Sequence, residues 1–231
     1  MGFFSYFMPN AIYKVPQLKC CDEKSPFPLS SEYCFRIQEE IKKSIFIASI
    51  GHANSKENAK IFIDKICQEF PDATHNCYAF AVGAPKDTAH IGQSDNGEPH
   101  GTAGKPMLNI LLHSDIGEVV AVVTRYFGGI KLGTGGLVKA YQGAVAHAMD
   151  ILPCTEKIIY AHITFCCDYE HINLLHYHLP AYDAKILQEE FLERITYTVE
   201  LPIMQTENFI QSLTNASNGK IQIKNKIIVD S

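Results

Sequence analysis

Between Glu118 and Thr124 the chain reads Val119, Val120, Ala121, Val122, Val123, five apolar residues with no polar interruption. A strand that faces water on one side alternates apolar with polar, whereas a near-solid β-branched run belongs to a strand covered on both faces. The run therefore predicts a central strand with a layer on each side. The covering layers are themselves readable. Asn54 with Glu57 three residues later has the form of a capping box, and Ala59, Phe62, Ile63, Ile66 and Phe70 follow at helical spacing. A helix is predicted over 55–70, stopped by Pro71. After the valine run, Leu137, Tyr141, Ala144, Val145, Ala148 and Leu152 share one helical face, and Leu108, Leu111 and Leu112 predict a shorter helix before it.

Strands are expected at 33–37, 41–50 and 77–83, which gives the order β, β, α, β, α, β, α for residues 32–152. The polar, glycine-rich stretch 84–101 reads as a surface loop. From Pro153 the character changes. Strand-like segments at 158–165, 182–187, 195–201 and 221–229 and helical ones at 171–179 and 207–216 have the order βαββαβ, the split-βαβ ferredoxin-like plan. The fold class predicted is α+β, an α/β unit over 32–152 followed by a ferredoxin-like unit over 153–231. Residues 1–31, with Pro9, Pro16, Pro26 and Pro28, read as an irregular arm.

With 46% apolar and 19% charged residues the composition is that of a globular chain. No run approaches the about 18–20 apolar residues of a membrane helix. The opening residues 1–8 lack the basic flank of a signal peptide. A cytoplasmic location without membrane association is expected. Eight cysteines include the adjacent pairs Cys20/Cys21 and Cys166/Cys167, show no C-x-x-C spacing, and are expected as reduced thiols. The formal charge of −5 gives no broad footprint for nucleic acid.

Two segments differ from ordinary loops: SDNGEPHGTAGKP at 94–106 and TRYFGGIKLGTGGLVKAY at 124–141. In the second a strand ends near Arg125 and a helix begins near Gly135, so backbone N–H groups there suit phosphate or carboxylate. The residues expected to hold such an anion are Arg125, Lys131, Gly133, Thr134, Gly135 and Gly136, unless the glycines serve only tight turns and close packing. Neither the Walker nor the dinucleotide spacing is present. Both segments follow strand exits, so they are expected to converge in the crevice beyond the strand ends, as in open α/β sheets. His75, Asp95, Glu98, Thr102, Lys105, Tyr126 and Lys139 complete the candidate surface. Asp95 and Glu98 are read either as acid–base or metal-binding groups or as turn formers and helix caps. Arg125 either faces the anion or pairs with Asp95 or Glu98. His75 and Cys77 fall on one face of their strand. No metal site, cofactor or catalytic residue is assigned.

These two segments, with EEIKKSIF at 39–46 and PDATHNC at 71–77, resemble the YigZ/IMPACT family. Asn96 stands where the family commonly has a second Asp, and His100 where a small residue is usual. The resemblance implies a first unit with the fold of the second domain of a small-subunit ribosomal protein, and a second unit similar to a C-terminal domain of an elongation factor. It implies a role in translational control through binding, with the ribosome, RNA or a protein factor as partner. A ribosome contact would draw on Lys131 and Lys139, or on Lys220, Lys224 and Lys226. The alternative is an enzyme or small-molecule binder that takes a phosphorylated ligand at the glycine-rich face.

Overall fold

A computed structural model describes residues 11–229 of the chain. It divides into two compact units, residues 13–157 and residues 158–229 together with residues 11 and 12. The residues 1–10 of the expected arm, and with them the residues 1–8 considered as a signal, lie outside the described residues. The rest of that stretch is not wholly irregular, because Ile12–Pro16 forms a short strand, β1.

In the larger unit β2 (Phe35–Ile41) and β3 (Ser44–His52) form an antiparallel hairpin. The sequence run 41–50 reads as one strand, yet Lys42 and Lys43 have φ of 49° and 66° and turn the chain between Ile41 and Ser44. A two-residue turn of this hand matches the strand twist, but it usually announces itself as Asn-Gly, and two lysines hide it. Helix α1 (Lys56–Glu69) is capped by Ser55, whose side chain accepts from the Asn58 N–H at 3.2 Å. The cap is thus one residue later than the capping box suggests, since Asn54 accepts from the Asn58 side chain instead, at 2.9 Å. Strand β4 (His75–Ala81) follows, and β5 (Ile91–Ser94) lies inside the stretch expected as loop. Its four residues pair with β4 at the sheet edge and are too few to show a period. Helix α2 (Gly104–His113), strand β6 (Val119–Tyr126) and helix α3 (Thr134–Asp150) complete the layers.

The sheet order is β2-β3-β6-β4-β5, so the valine strand is central. Val120 and Val122 pack with Phe62, Ile63 and Ile66 of α1. Val119, Ala121 and Val123 pack on the other side with Met107, Leu111, Tyr141 and Ala144 of α2 and α3. Each buried valine contributes about 1.5–3 kcal/mol, which fixes the register of the sheet between its two helical layers. Every neighbouring pair is antiparallel, so the parallel-sheet crevice that the α/β reading invokes is absent. Because β4 runs antiparallel to both β5 and β6, however, those two point the same way, and the segments leaving them emerge at one end of the sheet. A ribbon of β1 with β7 (Cys154–Ile158) was not legible in the sequence.

The smaller unit contains β8 (Tyr160–Cys167), α4 (Ile172–His178), β9 (Lys185–Phe191), β10 (Ile195–Pro202), α5 (Thr206–Ala216) and β11 (Gln222–Val229). Its antiparallel sheet has the order β11-β8-β10-β9. Phe165, Tyr197, Leu175, Phe209 and Leu213 form the core beneath the helices. The strand expected at 182–187 starts three residues later, because Leu179–Tyr182 is a 3₁₀ turn that ends with Asp183 at φ 51°. Gly219, at φ 77°, donates its N–H to the Thr214 carbonyl at 2.8 Å and closes α5. Both units therefore mix helices with antiparallel sheets, an α+β protein.

Candidate functional site

The two glycine-rich segments meet through side chains at the end of β6. Alternation along β6 puts Arg125 on the same face as Val119, Ala121 and Val123, under α2 and α3. Its guanidinium is buried, lies over the Phe46 and Phe127 rings at 5.6 Å from each, and donates to Glu98 Oε1 at 2.5 Å. Tyr141 Oη donates to the same oxygen at 2.8 Å, and His75 Nε2 lies 4.0 Å from it. Glu98 and Arg125 are both less than a tenth exposed. The ion pair ties residues 94–106 to 124–141, and it uses the guanidinium that an external anion would need. Arg125 Nε is buried with no hydrogen-bond partner.

Asp95 is a helix cap supplied from outside its helix. It accepts from the N–H groups of Gly101 at 2.7 Å, Ala103 at 3.0 Å and Gly104 at 2.9 Å. Burial works to raise its pKa, but these three donors outweigh that and hold the carboxyl below its ordinary value. The Thr102 hydroxyl donates to the Pro99 carbonyl at 2.7 Å, which fixes the turn. Asn96 takes the Asn76 N–H on its side chain at 3.0 Å, while its own carbonyl lies 2.8 Å from His75 Nδ1. Cys77 is fully buried, its Sγ donates to the Asp95 carbonyl, and burial pushes the thiol up to about 12. A thiol of that pKa is not a nucleophile near neutral pH. Burial, with Cys77 and Glu98 beside it, also raises the Tyr141 hydroxyl.

What remains open at this end of the sheet is different in kind. The residue before helix α3, its N-cap Gly133 at φ 73°, offers no side-chain cap, and a Cβ on Gly133 or Gly135 would meet no atom within 4 Å. The N–H groups of Thr134, Gly135 and Gly136, in the first turn of the helix, have no intrahelical acceptor and no side-chain cap. Lys105, Lys131 and Lys139 are exposed and unpaired among the described residues, and Tyr126 Oη donates to Asp72 at 2.9 Å. Tyr141, which organises Glu98, was readable only as part of a buried helical face. A buried tyrosine needs a partner for its hydroxyl, and that was the available signal.

Two other groupings are balanced internally. Asp168, Glu170 and His171 bring ligand atoms within 4.8 Å of one another, but Arg194 holds Asp168 at 2.7 Å and Lys220 holds Glu170 at 2.9 Å. Glu118, nearly inaccessible, receives Tyr13 Oη at 2.8 Å, Lys157 Nζ at 2.6 Å and faces His52 Nε2 at 2.8 Å. Burial works to raise its pKa, and the bonds from His52, Lys157 and Tyr13 overcome it and lower the carboxyl to about 2. All eight cysteines are free thiols. Among the described residues no helix is long and apolar enough to cross a membrane.

An α+β chain of two units, with glycine-rich loops gathered at one sheet end, is the class this geometry defines. Residues 42–149 match the Impact N-terminal domain, and residues 166–220 match a domain of unknown function (DUF1949). The chain is 43% identical to the IMPACT family member YigZ of Escherichia coli (strain K12), over 81% of this chain and 92% of that protein. It is 42% identical to an IMPACT family member of Haemophilus influenzae, over 81% and 91%. Protein IMPACT of Xenopus laevis is 33% identical over 40% of this chain and 30% of its own length. A solved structure described as a hypothetical protein is 38% identical, with a TM-score of 0.62 and coverage of 92% of this chain and 96% of that one. The chain belongs to the IMPACT/YigZ family.

Proposed function

We infer that this chain is a non-enzymatic, cytoplasmic binding protein of translational control, engaging the ribosome, RNA or a protein factor. One observation carries the reading. The ionisable groups that chemistry would need are each other's partners: Arg125 with Glu98, Asp95 with the α2 amides, and Cys77 as a buried neutral thiol. The groups left open are exposed lysines and backbone amides, which recognise a partner without reacting with it. The family membership supports the translational setting. The strand order β11-β8-β10-β9 supports a ferredoxin-like plan for the smaller unit. The order β2-β3-β6-β4-β5 with helices on both faces accords with the ribosomal-protein-like plan that the resemblance implies for the larger one.

The uncapped start of α3 favours a second reading, a small phosphorylated ligand bound by the amides of Thr134, Gly135 and Gly136. Thermal melting separates the two. Under the binding-protein reading, millimolar phosphate, sulfate or nucleotide leaves the melting temperature unchanged. A rise by mass action that is lost in Gly135→Pro, with the protein still folded, moves the function to the second reading.

A further inference from the structure

The sheet end carries a surface distinct from the buried cluster beneath it. Lys42 and Lys43 form the β2–β3 turn, and Lys131 lies in the 127–133 loop; all three side chains are exposed, with no hydrogen bond or ion pair among the described residues. The two loops touch. Gly128 donates its N–H to Ser44 Oγ at 3.2 Å, and a Cβ on Gly128 would collide with the Lys43 carbonyl. Beside the lysines Phe127 and Ile130 are 46% and 43% exposed, large apolar side chains on a loop that leads into the open amides of α3. The carboxylates of this end are already engaged: Asp72 by Tyr126, Glu98 by Arg125 and Tyr141, Asp95 by α2, Glu39 by His147. Glu40 alternates to the other face of β2, away from Ile37 and Ile41. Both turn lysines also hold left-handed backbone, which costs a non-glycine residue about 1–2 kcal/mol. Charge is thus placed where asparagine and glycine are the undemanding choice.

Resting on the binding-protein reading, we propose that Lys42, Lys43, Phe127, Ile130, Lys131 and the first turn of α3 form the docking surface for an acidic segment of a partner protein that carries bulky apolar side chains. Carboxylates of the segment meet the three lysines and the α3 amides, and its apolar side chains cover Phe127 and Ile130. A nucleic acid fits less well. Three lysines and one aromatic are fewer than a strand-tracking groove uses, and the formal charge of −5 opposes a polyphosphate at longer range.

The full chain with p-benzoylphenylalanine in place of Ile130 is irradiated in cells, with the same substitution at Tyr177, which is 81% exposed in the other unit, as control. The expected product is a protease-sensitive, nuclease-resistant adduct whose attached segment has an excess of Asp and Glu. Its yield falls about tenfold in K42N/K43G/K131S. That variant suits the left-handed turn, and K131E alone, which leaves the turn untouched, shows the same loss. The proposal is overturned by a nuclease-sensitive adduct, by a segment without acidic excess, by a yield that ignores the lysine substitutions, or by no adduct above the Tyr177 control. If position 130 captures nothing while the chain still co-migrates with ribosomal fractions, this surface is wrong and the binding-protein reading stands.

Discussion

Replacing Arg125 by Met and Glu98 by Gln, singly and together, asks whether their buried pair is scaffold. Both residues are less than a tenth exposed, and the remaining hydrogen bond to Glu98 comes from Tyr141. Removing one partner strands the other charge in a low-dielectric site, which costs about 3–5 kcal/mol, whereas removing both leaves two neutral side chains of similar volume, one apolar and one that keeps an acceptor for the Tyr141 hydroxyl. The double variant should therefore be more stable than the sum of the singles by about 2–3 kcal/mol. The chain has no tryptophan and two units, so a global optical melt does not assign a loss of stability to one unit. Hydrogen exchange of the β6 amides reports on the larger unit alone. At about 1.4 kcal/mol per decade, each single variant lowers their protection by about two to nearly four decades. A loss below half a decade in Arg125→Met would refute the scaffold role and return Arg125 to the anion site.

Glu118 should govern acid stability. Its carboxyl lies at about 2 in the folded chain and at about 4.3 unfolded, so its stabilisation, about 3 kcal/mol, is complete above the unfolded value and lost as the pH falls toward 2. Glu118→Gln should be less stable at pH 7 and should flatten the urea midpoint between about pH 4.3 and 2; an unchanged acid limb contradicts the assignment. Asp95→Ala removes the three-donor cap of α2 and should cost about 2 kcal/mol, read as faster exchange at Ala103 and Gly104. Cys77, its thiol raised to about 12, should be the slowest of the eight to react with iodoacetamide at pH 8 in native buffer, and fast labelling there would contradict its burial.

The parts of the fold that sequence makes legible are those with long periods. The valine run names the central strand, and the helical faces of α1 and α3 name its covering layers. The βαββαβ order survives in the smaller unit with its strand ends shifted. What the sequence conceals is set by distant partners or by very short elements. Two lysines in left-handed backbone disguise the hairpin turn, β5 is four residues long, and the β1–β7 ribbon pairs residues more than a hundred positions apart. The site shows the same divide. Glycine density marks both loops, but only the fold shows that Arg125 is spent on Glu98, that Asp95 caps α2, and that Tyr141 completes the cluster. The exposed Phe127 and Ile130 were invisible for the converse reason, since an apolar residue in a sequence gives no sign of which side of the surface it occupies.

The most direct test of the binding-protein account is sedimentation of a cell lysate through a sucrose gradient at low and at high salt. The account predicts that the wild-type chain migrates with ribosomal or translation-factor fractions at low salt and returns to the top at high salt, and that a folded E98Q/R125M chain does the same. A chain that stays at the top under both conditions, or an association abolished by E98Q/R125M while the protein remains folded, contradicts it.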